Sequence, residues 1–333
     1  MNKKCIGCGS ILQTSNKKDK GYIQQEKYND SQYCERCFKI INYKEKIITK
    51  LPNINQYIID EVNKKANYVY FLIDFLSINT ETIHTFKKIN VPKTLIISKI
   101  DIIPKSIKEQ KIINFLKNEY QIEEEIIFQS TKKNINTKKI INFMESNNIK
   151  EAYILGYTNA GKSTLINKLN AINNITDKVL TTSLIPNTTI DFIKIKLNEK
   201  ISIIDSPGFT LENTIYSDDE FTFLKKVNPK SFIRPITYQL KSIASLLIED
   251  KIRISSTINN SFTFYISNDI NIERVFAKNK NLLNETKVSI NIGDNSDLVI
   301  KSLGFINIKK ACTLTIYSNQ KDLFEVRKSI FTK

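Results

Sequence analysis

Twelve residues in mid-chain, GYTNAGKSTLIN at 156–167, leave few folds open to this chain. A GxxxxGK[ST] loop can hold phosphate only when a buried strand runs into it and a helix starts from it, because its ligands are backbone N–H groups and the helix N-terminus. Both flanks are present: an apolar run at 152–155 precedes the loop and a helical pattern at 162–171 follows it. Gly156 and Gly161 let the backbone turn its N–H groups inward, and Asn159, Ala160 and Thr164 complete the cradle. Lys162 is placed to reach the outer phosphates and Ser163 to ligate Mg²⁺. With eight glycines in 333 residues, two at this spacing weigh more than in a Gly-rich chain. An α/β fold with a nucleotide phosphate site follows.

Downstream, a short apolar strand at 201–204 leads into Asp205, Ser206, Pro207 and Gly208, the DxxG form of a loop that senses a third phosphate. Asp205 would hold Mg²⁺ through water, and the Gly208 N–H would meet the phosphate. Between the two motifs lies TTSLIPNTTID, where Thr189, or else Thr188, suits the threonine that closes on the metal.

The base-reading elements of an ordinary GTPase come after DxxG, yet here they come before the phosphate loop. A strand-like run at 94–97 leads into Ser98, Lys99, Ile100 and Asp101, close to the NKxD that reads guanine. The Asp101 carboxylate would accept from the guanine ring N–H and amine while the Lys99 stem lies along the base. A second strand at 125–128 ends at Ser130, Thr131 and Lys132, a turn whose backbone would meet the guanine oxygen. Each tetrapeptide is weak alone. All of them at strand C-terminal ends, where open α/β sheets bind ligands, make one site. A sheet whose old termini are joined and whose chain is reopened after DxxG explains the order, since domain termini often lie close together. Residues from 211 onward are then tethered to the part of the site that changes on hydrolysis.

Four cysteines near the N-terminus, Cys5, Cys8, Cys34 and Cys37, form two Cys-x2-Cys pairs that satisfy a tetrahedral structural Zn²⁺. The 25 residues between the pairs suit a treble-clef-like finger rather than a short ribbon. Disulfides are the alternative, disfavoured by a Met1-Asn-Lys-Lys start without a secretory signal. Cys312 is expected to be a buried core thiol.

With Cys5-Ile-Gly-Cys8-Gly and Cys34-Glu-Arg-Cys37-Phe, then SKIDIIPKS, GYTNAGKSTLIN, IPNTTID, DSPGF, SFTFYISN and KSLGFINI, nearly the whole chain resembles the YqeH family of circularly permuted ribosome-assembly GTPases. The resemblance implies a cytoplasmic GTPase that assists small-ribosomal-subunit assembly, and a permuted P-loop GTPase domain flanked by a zinc finger and a C-terminal β-rich (α+β) domain. Two positions depart from it. Ser98 stands where the family has Asn, and Asn187 where it has Gly before the switch threonines. Asp101 should preserve guanine selectivity, and one lost hydrogen bond costs about 0.5–1.5 kcal/mol net.

The charge-stabilising groups of the reaction would be Lys162, Asn159, Thr189 and the Gly208 N–H. Asn159 matches the asparagine with which related GTPases bind K⁺; the alternative is a turn cap on its own backbone. Ras-like enzymes place a Gln just after DxxG to orient water, but this chain has Phe209, so hydrolysis should be slow. The sole histidine, His84, has no matched nucleophile near it and reads as structural.

Charge location says more than the net +16. Residues 1–50 carry eleven Lys/Arg against five acids, 221–333 eighteen against nine, and 51–220 twenty-one against twenty. Basic flanks on a neutral centre fit a polyanion such as rRNA, or else solvated lysine on a biased composition. Three modules follow: a four-cysteine zinc finger at 1–50, the GTPase domain at 51–220 and an RNA- or ribosome-binding β-rich domain at 221–333. No apolar run reaches the roughly 18 residues of a membrane helix, and a soluble monomer is expected.

Strands are expected at 68–73, 94–97, 125–128, 152–155, 190–197 and 201–204, with helices around 79–89, 106–119 and 137–147. The C-terminal part shows five short β-rich runs at 262–266, 287–292, 298–300, 304–308 and 313–317. Phe262, Phe264 and Tyr265 either stack on RNA bases or fill a core.

Overall fold

The computed structural model describes residues 54–172, 192–211, 226–276 and 286–331, with 3, 5, 11–16, 19, 21–29, 31–35, 215 and 223. The switch threonines Thr188 and Thr189, Asn187, Cys8 and Cys37 lie outside the described residues. The chain divides into two compact units, Met1–Tyr57 and Ile58–Lys333.

In the first unit, Cys5, Leu12, Ile23 and Cys34 form a small buried cluster, with Tyr28 and Tyr33 packed against it. The Cys34 N–H donates to Cys5 Sγ at 3.2 Å, so one cysteine from each pair meets the other. Gln13 and Tyr22 form a parallel bridge.

The second unit begins with a six-stranded sheet. In chain order its strands are β1 (Val69–Asp74), β2 (Lys93–Ser98), β3 (Ile126–Phe128), β4 (Glu151–Gly156), β5 (Ile193–Lys196) and β6 (Ser202–Asp205). They lie side by side as β3-β2-β1-β4-β6-β5, all parallel except β5. Helices α1 (Ile54–Lys65), α2 (Thr80–Lys87), α3 (Glu109–Tyr120), α4 (Thr137–Ser146) and α5 (Lys162–Ile172) accompany them. The central strands β1, β2 and β4 are near-continuous apolar runs because both their faces are covered. On one face Tyr70, Leu72, Ile96 and Ile154 pack with Ile140, Met144, Leu165 and Leu169 of α4 and α5. On the other, Phe71 meets Phe86 of α2 edge-on at 5.6 Å.

Beyond residue 235 the chain is all strand apart from one short 3₁₀ turn, among the described residues. The strands are β7 (Ile236–Leu240), β8 (Ala244–Ile248), β9 (Ile252–Ser256), β10 (Asn260–Ile266), β11 (Ile272–Phe276), β12 (Thr286–Ile292), β13 (Ser296–Ile300), β14 (Gly304–Ile308), β15 (Cys312–Ser318) and β16 (Phe324–Lys328). Two antiparallel five-stranded sheets result, β16-β13-β14-β10-β7 and β11-β8-β9-β15-β12. Their alternating residues, among them Phe262, Phe264, Ile306, Ile254, Leu314 and Ile316, form one core. Phe262 and Phe264 are therefore interior packing and not base-stacking platforms. Tyr265 points the other way and stacks on Phe305 and Phe331 at 4.8 and 4.7 Å. Cys312 is half-buried at the edge of this core, not fully enclosed, and accepts from Asn260 Nδ2 at 3.3 Å.

The first of these sheets turns its second face to the turn after β1 and to helices α2 and α3. That double burial makes β13 apolar or enclosed along its whole length. Phe305 meets Phe75 edge-on at 5.6 Å, Lys301 pairs with Glu81 at 3.0 Å and Lys328 with Glu119 at 3.0 Å. Arg327 donates to the Ile78 carbonyl from a site 5% exposed. Glu325 accepts from the Thr80 N–H at 2.9 Å, capping the start of α2 with a carboxylate. No described helix is long and apolar enough to cross a membrane.

Candidate nucleotide site

Four loops leave the same edge of the six-stranded sheet, because the parallel strands β4, β6, β2 and β3 all end there. The phosphate loop follows β4. Gly156 is pressed against β1, where an added Cβ would stand 2.9 Å from the Leu72 carbonyl oxygen. Asn159 takes φ 67° and Gly161 φ 90°, left-handed positions that Asn and Gly tolerate best. Ala160 is buried beneath the loop, whereas Ser163 and Thr164 are exposed on the first turn of α5. Asn159 is exposed as well.

The loop after β6 is joined to the phosphate loop through backbone. The Phe209 N–H donates to the Gly156 carbonyl at 3.0 Å, and the Thr158 N–H donates to the Phe209 carbonyl at 2.9 Å. Asp205, at the end of β6, receives the Lys162 ammonium directly. Gly208 lies beside the phosphate loop, where an added Cβ would be 3.4 Å from Thr158 Oγ1, an ordinary contact. Phe209 is fully buried, stacked on Phe71 at 5.6 Å and tilted against Tyr157 at 5.5 Å.

The loop after β2 carries Ser98, Lys99 and Asp101. Ser98 does not face outward: its hydroxyl donates to the Ala160 carbonyl at 2.7 Å and ties this loop to the phosphate loop. Lys99 is held at φ 56°, its carbonyl accepting from the Ile102 N–H at 2.9 Å, and its ammonium is 3.6 Å from Asp74. Asp101 accepts from the Ser130 hydroxyl at 2.6 Å, and that hydroxyl accepts from the Lys133 N–H at 3.1 Å. Thr131 accepts from Gln129 at 2.9 Å, and Lys132 reaches away to the Lys230 carbonyl at 2.6 Å. All the described residues expected at the nucleotide site thus lie along one edge. Asp74, outside every motif, joins them; its signal was an acid ending a buried strand.

His84 is exposed on α2, as a structural residue would be. Among the described residues no three His, Cys, Asp or Glu side chains converge to hold a metal ion. For Mg²⁺ the oxygen donors Ser163 and Asp205 flank Lys162, a hard-ligand set that fits such an ion. For Zn²⁺, two buried cysteines with a backbone N–H directed at one sulfur fit a thiolate site.

Residues 151–260 match the family described as 50S ribosome-binding GTPase. The Bacillus subtilis protein YqeH, described as uncharacterized, is 29% identical over 294 residues, covering 84% of this chain and 80% of its own. The chloroplastic GTP-binding protein Brassinazole Insensitive Pale Green 2 of Arabidopsis thaliana is 23% identical over 69% of this chain, which spans 42% of that relative. Among solved structures, GNP-bound YlqF from T. maritima is 19% identical with a TM-score of 0.32, covering 48% of this chain and 60% of its own. YjeQ from Thermotoga maritima is 19% identical with a TM-score of 0.31, covering 45% and 51%. At such scores the fold rests on the strand order itself. With the phosphate loop inside a matched GTPase family and a relative aligned along most of its length, this chain is a P-loop GTPase resembling YqeH.

Proposed function

We propose that the chain is a slow GTPase switch that assists assembly of the small ribosomal subunit by contacting rRNA. The supporting observation is the convergence of four loops on one sheet edge, two of which, at Ser98–Asp101 and Ser130–Lys132, precede the matched family region. In this reading the GTPase domain at 51–220 is circularly permuted, with a zinc module at 1–50 and an RNA-contacting domain at 221–333.

GTP would lie with its base against Lys99 and Asp101 and its phosphates over Gly156, Asn159, Ala160, Gly161, Lys162, Ser163 and Thr164. Asp101 is the guanine reader, already oriented by Ser130, and the turn at Ser130, Thr131 and Lys132 offers backbone N–H groups to the guanine oxygen. Lys162, which pairs with Asp205 at the loop, would reach the outer phosphates of a bound nucleotide. Mg²⁺, held by Ser163, Asp205 and Thr189, would spread the phosphate charge. K⁺ at Asn159 would add to it. Zn²⁺ would be held by Cys5, Cys8, Cys34 and Cys37. The Gly208 N–H senses the third phosphate, and its tie to the phosphate loop through Phe209 transmits the state.

The burial of Phe209 favours a second reading, a nucleotide-gated RNA-binding scaffold with negligible hydrolysis, because the side chain after DxxG cannot orient water. Hydrolysis measured in K⁺ against Na⁺, with and without small or large subunits, separates the two. Multiple turnovers stimulated by small subunits support the switch; bound, uncleaved GTP supports the scaffold. Stimulation by large subunits alone contradicts the small-subunit assignment. Cytoplasmic location and a monomeric state belong to the same proposal.

A further inference from the structure

Asp74 ends β1 in register with Ser98 of β2, so it stands beside the base-reading loop without belonging to any motif. Its side chain is nearly enclosed and its two oxygens do different work. One oxygen accepts from the N–H groups of Leu76 and Ser77 at 3.0 and 3.1 Å and builds the turn that follows. The other accepts from Ser77 Oγ at 3.0 Å and faces the Lys99 ammonium at 3.6 Å. Any carbonyl-like acceptor could build the turn. Only a carboxylate also attracts the ammonium.

The turn cannot drift with Lys99, because its far end is gripped by the C-terminal strand β16. Arg327 holds the Ile78 carbonyl and Glu325 the Thr80 N–H. Phe75, within the turn, is wedged against Phe305. Asp74 is therefore a fixed anchor for a lysine whose own backbone sits in a left-handed conformation that costs energy to hold. Asp74, Ser77, Lys99 and Asn159 line one cleft beside the phosphate loop.

We propose that Asp74 is a positioning residue of the guanine site: it fixes the tip of Lys99 so that the methylene stem is presented as a wall along the base. The inference rests on the GTP-site reading above. It assigns to a residue outside the motifs a share of base affinity and none of phosphate affinity.

The test is a titration of full-length protein with a fluorescent GDP analogue, competed by GDP, ATP and inorganic pyrophosphate, for wild type, Asp74→Asn, Lys99→Met and the double variant. Asp74→Asn keeps the acceptor for the turn and removes the charge. GDP should bind about 3- to 10-fold more weakly to either single variant, and the double variant no more weakly than the worse single, as expected for one shared ion pair. Pyrophosphate affinity should stay unchanged. Equal losses for GDP and pyrophosphate, or fully additive losses in the double variant, overturn the proposal. Should Asp74→Asn fail to fold, Lys99→Met leaves every bond of the turn in place and decides alone: GDP affinity within twofold of wild type overturns it. A wild type displaced equally by ATP defeats the GTP-site reading itself, a result distinct from either.

Discussion

Ser98 shows how one hydroxyl can stand in for a larger side chain. The sequence suggested a weakened base contact, because Ser offers a single rotatable donor where Asn offers an amide. In the fold that donor is committed to the Ala160 carbonyl, so Ser98 ties two loops together and leaves the base to Asp101. Ser98→Ala should weaken GDP binding by about fivefold, the worth of roughly 1 kcal/mol for one buried hydrogen bond, with guanine preference retained. A titration that shows lost preference for guanine over adenine would place Ser98 on the base instead. Phe209 carries the opposite lesson. Its failure to orient water was legible from residue type, but its role as a core residue was not, since stacking on Phe71 is a long-range contact. Phe209→Gln should therefore bring no rate gain and should lower stability by about 2–4 kcal/mol, because it buries an amide among aromatic rings. Single-turnover hydrolysis and thermal unfolding together check this; a faster, equally stable variant would contradict it.

At the scale of elements, the parallel strands announced themselves by apolar runs that end in motif residues. That made β1, β2, β3, β4 and β6 readable to within a residue or two. Helix α1 was not anticipated, nor were β7, β8, β9, β11 and β16. Strands β7, β11 and β16 lie at sheet edges with mixed exposure, which blurs their alternation. The β1–α2 turn was also unreadable as a functional element, because its significance comes from partners some 245 residues away in β16. Gly156 makes the strand-level constraint testable. Gly156→Ala would thrust a methyl against the Leu72 carbonyl, so β4 must move away from β1. The expected cost is about 1–3 kcal/mol of stability with loss of measurable nucleotide binding, read by chemical denaturation and titration. Retained binding would show that the two strands can separate without disturbing the loop.

For the whole molecule, sequence order suggested that residues beyond 211 communicate with the site through the switch that precedes them. The structure adds a direct contact, the grip of β16 on the β1–α2 turn. At its centre Arg327 lies over Phe305 and Phe115, 4.7 and 5.2 Å from their ring centroids, and 3.5 Å from the fully buried Asp297. Burial pushes the Asp297 carboxyl up, opposed by the Arg327 guanidinium and by hydrogen bonds from Asn307 and the Ile330 N–H. A folded-state value above the unfolded one means that the proton binds the native state more tightly. The stabilisation is thus complete below the ordinary carboxylate value near about 3.9 and fades as pH rises through the raised folded value. Asp297→Asn should remove that slope, seen as a flatter stability profile from acid toward neutral pH; parallel profiles would exclude Asp297 as its source.

The proposed guanine site has ordinary parts in an unusual chain order. The most direct test displaces a fluorescent GDP analogue from the purified protein with GDP, GTP, ADP and ATP. Displacement by GDP and GTP alone is the result predicted from Asp101 held by Ser130 at the sheet edge. Equal displacement by ATP and ADP would mean that the loops ahead of the phosphate loop do not read the base, and would contradict the permuted-site reading.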